Sequence, residues 1–407
     1  MSLTKITTDS IDLSSNTNGL KIPKGTTAQR PAAVDSTVGE LRENTTTGKM
    51  EIYIGTTVGW RALQQTGQDV GIVPSNNFNT VLYTGNGTTK SITGLNFQPD
   101  LTWVKDRDVA HDNLLVDSVN GAGSVKGLVS NTTYAEGAYT ATDGYISSLN
   151  SNGFTVSTGS SSANYTNVNT NDYVSWSWKA GGTAVQNNDG TITGANCMVS
   201  ANPDAGFSII KWIGDGTSSG SIGHDLGKAP ELVILKNSDT IDSWYTYAEG
   251  VTGNNQYLKL NTTDAVFTAA SDSWGAGPTS SVMGLRPQTF SSSGNSLITY
   301  CWTSIPNYSL ISTYTGTNST TNTPKIYTGF QPGFIMVKRT DSTGDWNIVD
   351  NKRSTSNPRN IELFANQNYV EAIANYINFN ADGFQIITND TDWNAAGGKY
   401  LFMCFAS

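Results

Sequence analysis

Histidine occurs twice and cysteine three times among the 407 residues, and the 24 basic side chains, outnumbered by 33 acidic ones, nowhere gather into a cluster. Each scarcity excludes a class of function. Without a basic stripe, and with a net charge of −9, the chain is not built to bind nucleic acid. Three cysteines, Cys197, Cys301 and Cys404, are an odd and sparse set that makes no disulfide framework, and no C-x-x-C pair suggests zinc. No apolar run reaches the roughly 20 residues that a membrane-spanning helix needs. The start, MSLTKITTDSIDL, is polar and lacks the charged-then-apolar order of a secretory signal, so synthesis in a cytoplasm is expected.

What is present is aromatic and turn-rich. There are 10 Trp and 17 Tyr, and Gly, Ser, Thr and Asn dominate the remainder. That mixture suits short strands joined by turns. The length suggests two to four domains. Three octapeptides organise the chain: QPDLTWVK (98–105), APELVILK (229–236) and QPGFIMVK (331–338). Each reads as a core strand that Pro opens and Lys ends. Upstream, FNTVLYTGNGT (78–88) matches FSIIKWIGDGT (207–217) without a gap, and YSLISTYTGTNST (308–320) is a looser copy. Downstream, KDRDVAHDNLLVD (105–117) matches KRTDSTGDWNIVD (338–350), and Trp244 falls at the position of Trp346.

Each unit closes on an aromatic strand: YVSWSW (173–178), LITYCW (297–302) and YLFMCF (400–405). Alternation places Val174, Trp176 and Trp178 on one face, as it does Ile298, Tyr300 and Trp302, and Leu401, Met403 and Phe405. Such faces are expected to pack on a second sheet. A penultimate strand is marked by NGFTV (152–156) and DGFQI (382–386), with Phe290 the nearest candidate in the middle copy. The fold expected is all-β, three antiparallel β-sandwich repeats of jelly-roll or lectin-like type at 78–180, 206–304 and 305–407. Residues 66–77 and 181–205 read as linkers. The one serious helical candidate is 361–377, which could also be loop.

Residues 1–65 do not match the repeats. Two short strands, GELREN (39–44) and MEIYIG (50–55), joined by TTTGK, form a hairpin signature. A hairpin alone is marginal in water, so a partner is expected, and association into an oligomer, a trimer among the options, follows as a hypothesis.

The run from Pro23 to Pro31 (PKGTTAQRP), then Gly39 to Tyr53, then Gly59 with Trp60, resembles a short module of tailed-bacteriophage virion proteins, familiar in tail fibres and spikes. The repeats resemble lectin-like or jelly-roll domains in structural proteins of marine phages, cyanophages included, through the Tyr83-Thr84-Gly85 turn, the Pro-to-Lys strands and the Trp-rich closing strands. These resemblances imply a virion component on the particle exterior, with other virion proteins of tail, adaptor or neck as partners. They also imply a docking module whose candidate residues are Pro23, Gly25, Arg30, Pro31, Gly39, Arg42, Asn44, Gly48, Tyr53 and Trp60.

Chemistry is sparse. His111 and His224 each precede an Asp but occupy different places in the repeat, and neither has catalytic or metal spacing. No H-E-x-x-H or G-x-S-x-G run occurs. YTGNGT lacks the Lys-Ser/Thr pair of a phosphate loop. Acidic turns at Asp106/Asp108 and Asp390/Asp392 have no calcium-loop spacing. No catalytic residue, cofactor or metal is therefore expected. Tyr and Trp can stack on a sugar face, and Tyr134, Tyr139, Trp274 and Trp393 are the candidates. The expected function is a tail fibre or tail-associated appendage that docks by its N-terminal module and presents sandwiches to a host surface glycan or protein. A decoration protein of capsid, neck or tail is the alternative, and a polysaccharide-degrading spike the third.

Overall fold

The computed structural model describes residues 23–31, 36, 40–45, 49–53, 60–62, 72–161, 165–217, 219–286, 290 and 293–406. The chain divides into two compact units, Met1–Gly71 and Ile72–Ser407.

In the first unit the hairpin Leu41–Asn44 with Lys49–Tyr53 forms as its pattern predicts. It is not alone: Lys24–Gly25 adds a parallel strand on one side and Trp60–Ala62 an antiparallel one on the other. The motif residues serve this sheet. Arg30, Arg42 and Asn44 converge on Glu51, which is 2% exposed. Arg30 makes two bonds to its carboxylate, Asn44 Nδ2 donates at 2.8 Å, and Arg42 Nε stands 3.8 Å away. The Arg30 bonds, with Asn44 behind them, hold the Glu51 carboxyl below the usual range despite its burial. Tyr53 is buried too, whereas Pro23 and Pro31 are exposed. Gly39 and Gly48 lie outside the described residues.

In the second unit the three repeats share one strand plan. The closing strands Asp172–Trp178, Ser296–Trp302 and Lys399–Ala406 each lie between two partners. One is the opening strand of the repeat: Phe78–Thr84, Phe207–Ile213 or Ser309–Thr315. The other is the octapeptide strand: Leu101–Asp106, Leu232–Asn237 or Pro332–Arg339. All these pairings are antiparallel, and a second layer completes each sandwich. Its recurring pair is Lys90–Thr93 with Gly153–Ser157, Gly220–Gly223 with Val282–Leu285, and Lys325–Tyr327 with Gly383–Ile386. The fold is all-β, with three antiparallel sandwiches.

Glycine at the start of NGFTV and DGFQI has a steric cause. A Cβ on Gly153 or Gly383 would stand 1.9 or 2.0 Å from the carbonyl oxygen of Ile92 or Ile326 on the facing strand. In the middle repeat the glycine has crossed the pair, with Gly223 facing Val282. The residue that matches Phe154 and Phe384 there is Met283, opposite Ile222, and not Phe290.

The two faces of each closing strand go to different cores. Tyr173 packs with Ile92, Phe154 and Val156 inside the first sandwich. Leu297 and Cys301 do likewise in the second, and Tyr400, Phe402 and Cys404 in the third. The opposite, aromatic-rich face does not turn toward the second layer of its own repeat. Instead Trp176, Trp178, Tyr300, Trp302, Met403 and Phe405 enter a single core common to all three. Phe78 stacks on Phe405 with centroids 5.0 Å apart, and Trp178 meets Trp302 at 6.2 Å and Phe334 at 5.8 Å. Each buried ring is worth roughly 1.5–3 kcal/mol in transfer alone. The units therefore do not stand apart as spacers that add length.

Residues 181–205 are not a linker: Val185–Asn187 and Gly194–Asn202 extend the sheet of the second repeat, the latter pairing with Phe207–Ile213. Cys197 and Val199 alternate into that sandwich, which the Gly/Asn turn before them obscured. Residues 361–377 are not a helix but fall mostly in two strands, Arg359–Phe364 and Ala372–Asn380, around a loop held by the first repeat. Of 66–77, the described part contains the short 3-10 turn Pro74–Asn76.

Candidate functional site

From the octapeptide lysine onward the three repeats align without a gap through Lys105 to Asn113, Lys236 to Trp244 and Lys338 to Trp346. Three residues past each lysine stands Asp108, Asp239 or Asp341. Each caps the first amide of its own closing strand, at 2.7, 2.7 and 3.1 Å. A second equivalent trio, Asn131, Asn261 and Asn366, accepts from the backbone N–H of Asn113, Trp244 and Trp346 at 2.8–2.9 Å.

These asparagines begin the loops that join the repeats. Lys236 Nζ donates to the carbonyl of Thr133 in the first repeat, and Lys338 Nζ to that of Thr263 in the second. Lys105 Nζ donates to that of Asn368 in the third. Each donor reaches the position two residues after the asparagine, so the contacts run second to first, third to second and first to third. A ring closes. The next residues repeat the cycle: Trp244 Nε1 donates to the carbonyl of Val129, Trp346 Nε1 to that of Lys259, and Asn113 Nδ2 to that of Phe364. So do the amides of Glu136, Val266 and Glu371, bonded to the carbonyls of Ser238, Thr340 and Arg107. The three lysines are fully buried, and burial pushes each ammonium down to about 8. They clamp the seams.

At the first seam the loop carries an aromatic series. Tyr134 is 46% exposed and meets Tyr139 edge-on, with centroids 5.9 Å apart. Tyr139 meets Tyr165 at 4.6 Å, and Tyr165 meets His111 at 5.6 Å. The Tyr139 hydroxyl donates to Asp112, whose other oxygen accepts from Asn131 Nδ2 at 2.6 Å. Burial, then Asp112, pushes the Tyr139 phenol far above its ordinary value, so it stays a donor. His111 Nδ1 lies 3.0 Å from Asp106 Oδ2. Burial opposes ionisation of Asp106, but bonds from His111, Asn171 and two backbone amides outweigh it and hold the carboxyl low. The amide of Asp242 bonds to Thr133, next to Tyr134, and its neighbour Ile241 is 74% exposed. The outcome is an exposed Tyr134 ring packed edge-on against Tyr139, which links it to the half-buried Asp112 carboxylate.

Residues 73–407 match the family described as a domain of unknown function (DUF7483). The chain belongs to this family. The match spans all three repeats and therefore every seam residue, so the DUF7483 unit is the closed ring and not the single sandwich. No curated protein and no solved structure matches the chain.

Within the DUF7483 body, two of the four sugar-stacking candidates, Tyr134 and Tyr139, come together, and Tyr165 joins them. Trp274 and Trp393 do not. Both are fully buried, with Nε1 bonded to the carbonyl of Gln256 and to Glu362, and neither can meet a ligand. Their Ser/Asp-rich surroundings suggested loops, but the indoles point into the second and third sandwich cores. His224 is buried, with its ring bonded to the backbone at Thr279 and Leu226. Asp390 caps the turn of helix Thr391–Asn394. Cys197, Cys301 and Cys404 are buried and unbridged. Among the described residues no group of three His, Cys, Asp or Glu stands together as metal ligands would. An open groove of about 580 Å³ lies at the junction of the first two repeats. Its Asp100 Oδ2 is taken by the amides of Ala180 and Gly182, as Glu231 takes that of Ser304. That carboxylate is a chain-junction cap.

Sequence reading missed Asp112, Tyr165 and the asparagine trio. The signal was available in N-T-T-Y (131–134), N-T-T-D (261–264) and N-Q-N-Y (366–369), once the repeats are aligned past the lysine.

Proposed function

We propose that the protein is a virion appendage of a tailed bacteriophage that contacts host-surface carbohydrate through the first seam. The observation that carries the binding reading is the exposed ring of Tyr134 edge-on to Tyr139, whose hydroxyl in turn donates to Asp112. An aromatic face covers the apolar face of a pyranose, and a carboxylate with spare lone pairs accepts from its hydroxyls. Bracing lowers the entropy lost on binding. Support for the virion reading comes from the Pro23-to-Trp60 motif and its resemblance to phage tail modules. Docking through the N-terminal unit and its association into an oligomer belong to the same reading.

The closed ring favours one other role, a decoration protein that covers capsid, neck or tail without a receptor. Two measurements separate the readings. Gold-labelled antibody against the body, viewed on intact particles by electron microscopy, should mark the tail. Purified full-length protein should adsorb to host cells and reduce phage adsorption, and Tyr134→Ala should do both markedly less well. Labelling confined to the capsid, with no adsorption, supports decoration and contradicts the adhesin reading.

A further inference from the structure

Pseudo-symmetry gives the first seam two counterparts. The loop there reads Asn131-Thr-Thr-Tyr134-Ala-Glu136, and the third reads Asn366-Gln-Asn-Tyr369-Val-Glu371. The second reads Asn261-Thr-Thr-Asp264-Ala-Val266. The ring needs the asparagine, the carbonyl two residues on and the amide five residues on, and all three loops supply these. It does not need the Tyr or the Glu, because the second seam closes with Asp264 and Val266 in their places. Tyr134 and Tyr369 thus share a feature that the architecture leaves unexplained, and both are exposed, at 46% and 53%.

Each ring has an edge-on aromatic neighbour and a paired glutamate nearby in sequence, though the aromatic neighbours come from different positions of the repeat. Tyr369 is held edge-on by Phe364, with centroids 6.0 Å apart, as Tyr134 is by Tyr139. Beside it Glu371 forms a two-bond pair with Arg107 of the first repeat, Nε at 2.6 Å and Nη2 at 3.1 Å. At the first seam Glu136 is likewise held, by Lys126 at 2.6 Å and Asn120 at 2.8 Å. Ile373, two residues past Glu371, is 75% exposed.

We propose that Tyr369 forms a second carbohydrate-contact site, quasi-equivalent to that of Tyr134, so that one ring holds two sugar units and the Asp264 seam none. The ring face would stack on a pyranose, and the exposed edge of the mostly buried Arg107–Glu371 pair would exchange hydrogen bonds with its hydroxyls. This rests on the reading of the Tyr134 site and adds a second site to it. Two weak sites on one body raise avidity for a polymer that spans both.

The test applies the full chain to an array of bacterial surface oligosaccharides, then titrates the most strongly retained glycan by calorimetry. Two sites per chain are expected. Tyr134→Ala and Tyr369→Ala should each leave one, Tyr369→Trp should keep two, and Asp264→Ala should change nothing. All four should keep the parent melting midpoint, since these side chains are exposed. A single site, lost with Tyr134→Ala and untouched by Tyr369→Ala, would overturn the second site and leave the first standing. Retention of no glycan by the parent chain would overturn both.

Discussion

Trp176 Nε1 donates to Asp350 Oδ2 at 3.0 Å, joining the closing strand of the first repeat to the strand Trp346–Asp350 of the third. Its counterpart is Tyr300, whose hydroxyl donates to Asp117 at 2.9 Å between the second and first repeats. At the remaining seam the equivalent residues are Met403 and Ala248, both buried and apolar. Each seam is thus matched within itself, polar with polar or apolar with apolar, which is the condition for burying such groups without loss.

Breaking one member should therefore be costly. Asp350 also pairs with Arg353 at 2.6 Å, and the side chains of both are fully buried. Asp350→Ala removes the nearer carboxylate of that guanidinium, leaving Glu371 at 3.5 Å, and is expected to cost about 3 kcal/mol. Tyr300→Phe removes one bond from Asp117, which keeps the amides of Val119 and Asn120, and should cost about 1–2 kcal/mol. Urea unfolding followed by Trp fluorescence measures both. Equal small losses would contradict the assignment of the Asp350 network as buried and paired.

The clamp lysines predict a pH dependence. Their folded pKa, about 8, lies below the ordinary 10.5, so between these values the unfolded chain holds more protons. Stability should rise across that window, by on the order of 3 kcal/mol per lysine at most. Buried tyrosines such as Tyr173, Tyr300 and Tyr308 are displaced upward by burial, so the unfolded chain loses their protons first and stability should fall again above about 10. Melting midpoints across pH 7–11 should pass through a maximum near pH 10. Lys105→Met with Lys236→Met and Lys338→Met should flatten the rising limb, and an unchanged limb would contradict burial of the amines.

Glu362 should act oppositely. Burial raises its carboxyl to about 8, above the ordinary 4.5, so the stability of the protonated form is lost as pH climbs through 8. Glu362→Gln keeps an acceptor for Trp393 and carries no charge. At pH 9 it should raise the melting midpoint, and at pH 4 leave it nearly unchanged.

The aromatic candidates should separate cleanly. Trp274→Ala and Trp393→Ala each empty a fully buried site and should cost about 3–5 kcal/mol, read by urea titration. Tyr134→Ala should change stability by less than about 0.5 kcal/mol and weaken glycan retention at least about tenfold, near 1.4 kcal/mol.

These cases show what the sequence makes legible. The octapeptides, the closing strands and the Gly-Phe element repeat in type and spacing because backbone pairing and steric fit demand them, as Gly153 and Gly383 illustrate. The destination of a strand face carries no such mark. Trp176 and Trp178 alternate in the same way whether they cover their own sandwich or a neighbour. Asn131, Asn261 and Asn366 were hidden because an Asn in a polar loop is ordinary until its register with Lys236, Lys338 and Lys105 is known. Tyr134 and Trp274 look alike in sequence, both aromatic in polar surroundings, and only packing divides them.

Residues 72–407 form one body closed by three equivalent seams. Hydrogen exchange at increasing urea tests it most directly, read by mass spectrometry on peptides covering 172–178, 296–302 and 399–406. A closed ring with a common core predicts that the three strands lose protection together, at one urea midpoint, and that Lys236→Met shifts all three. Three separate midpoints, with only the second moved by that substitution, would contradict it.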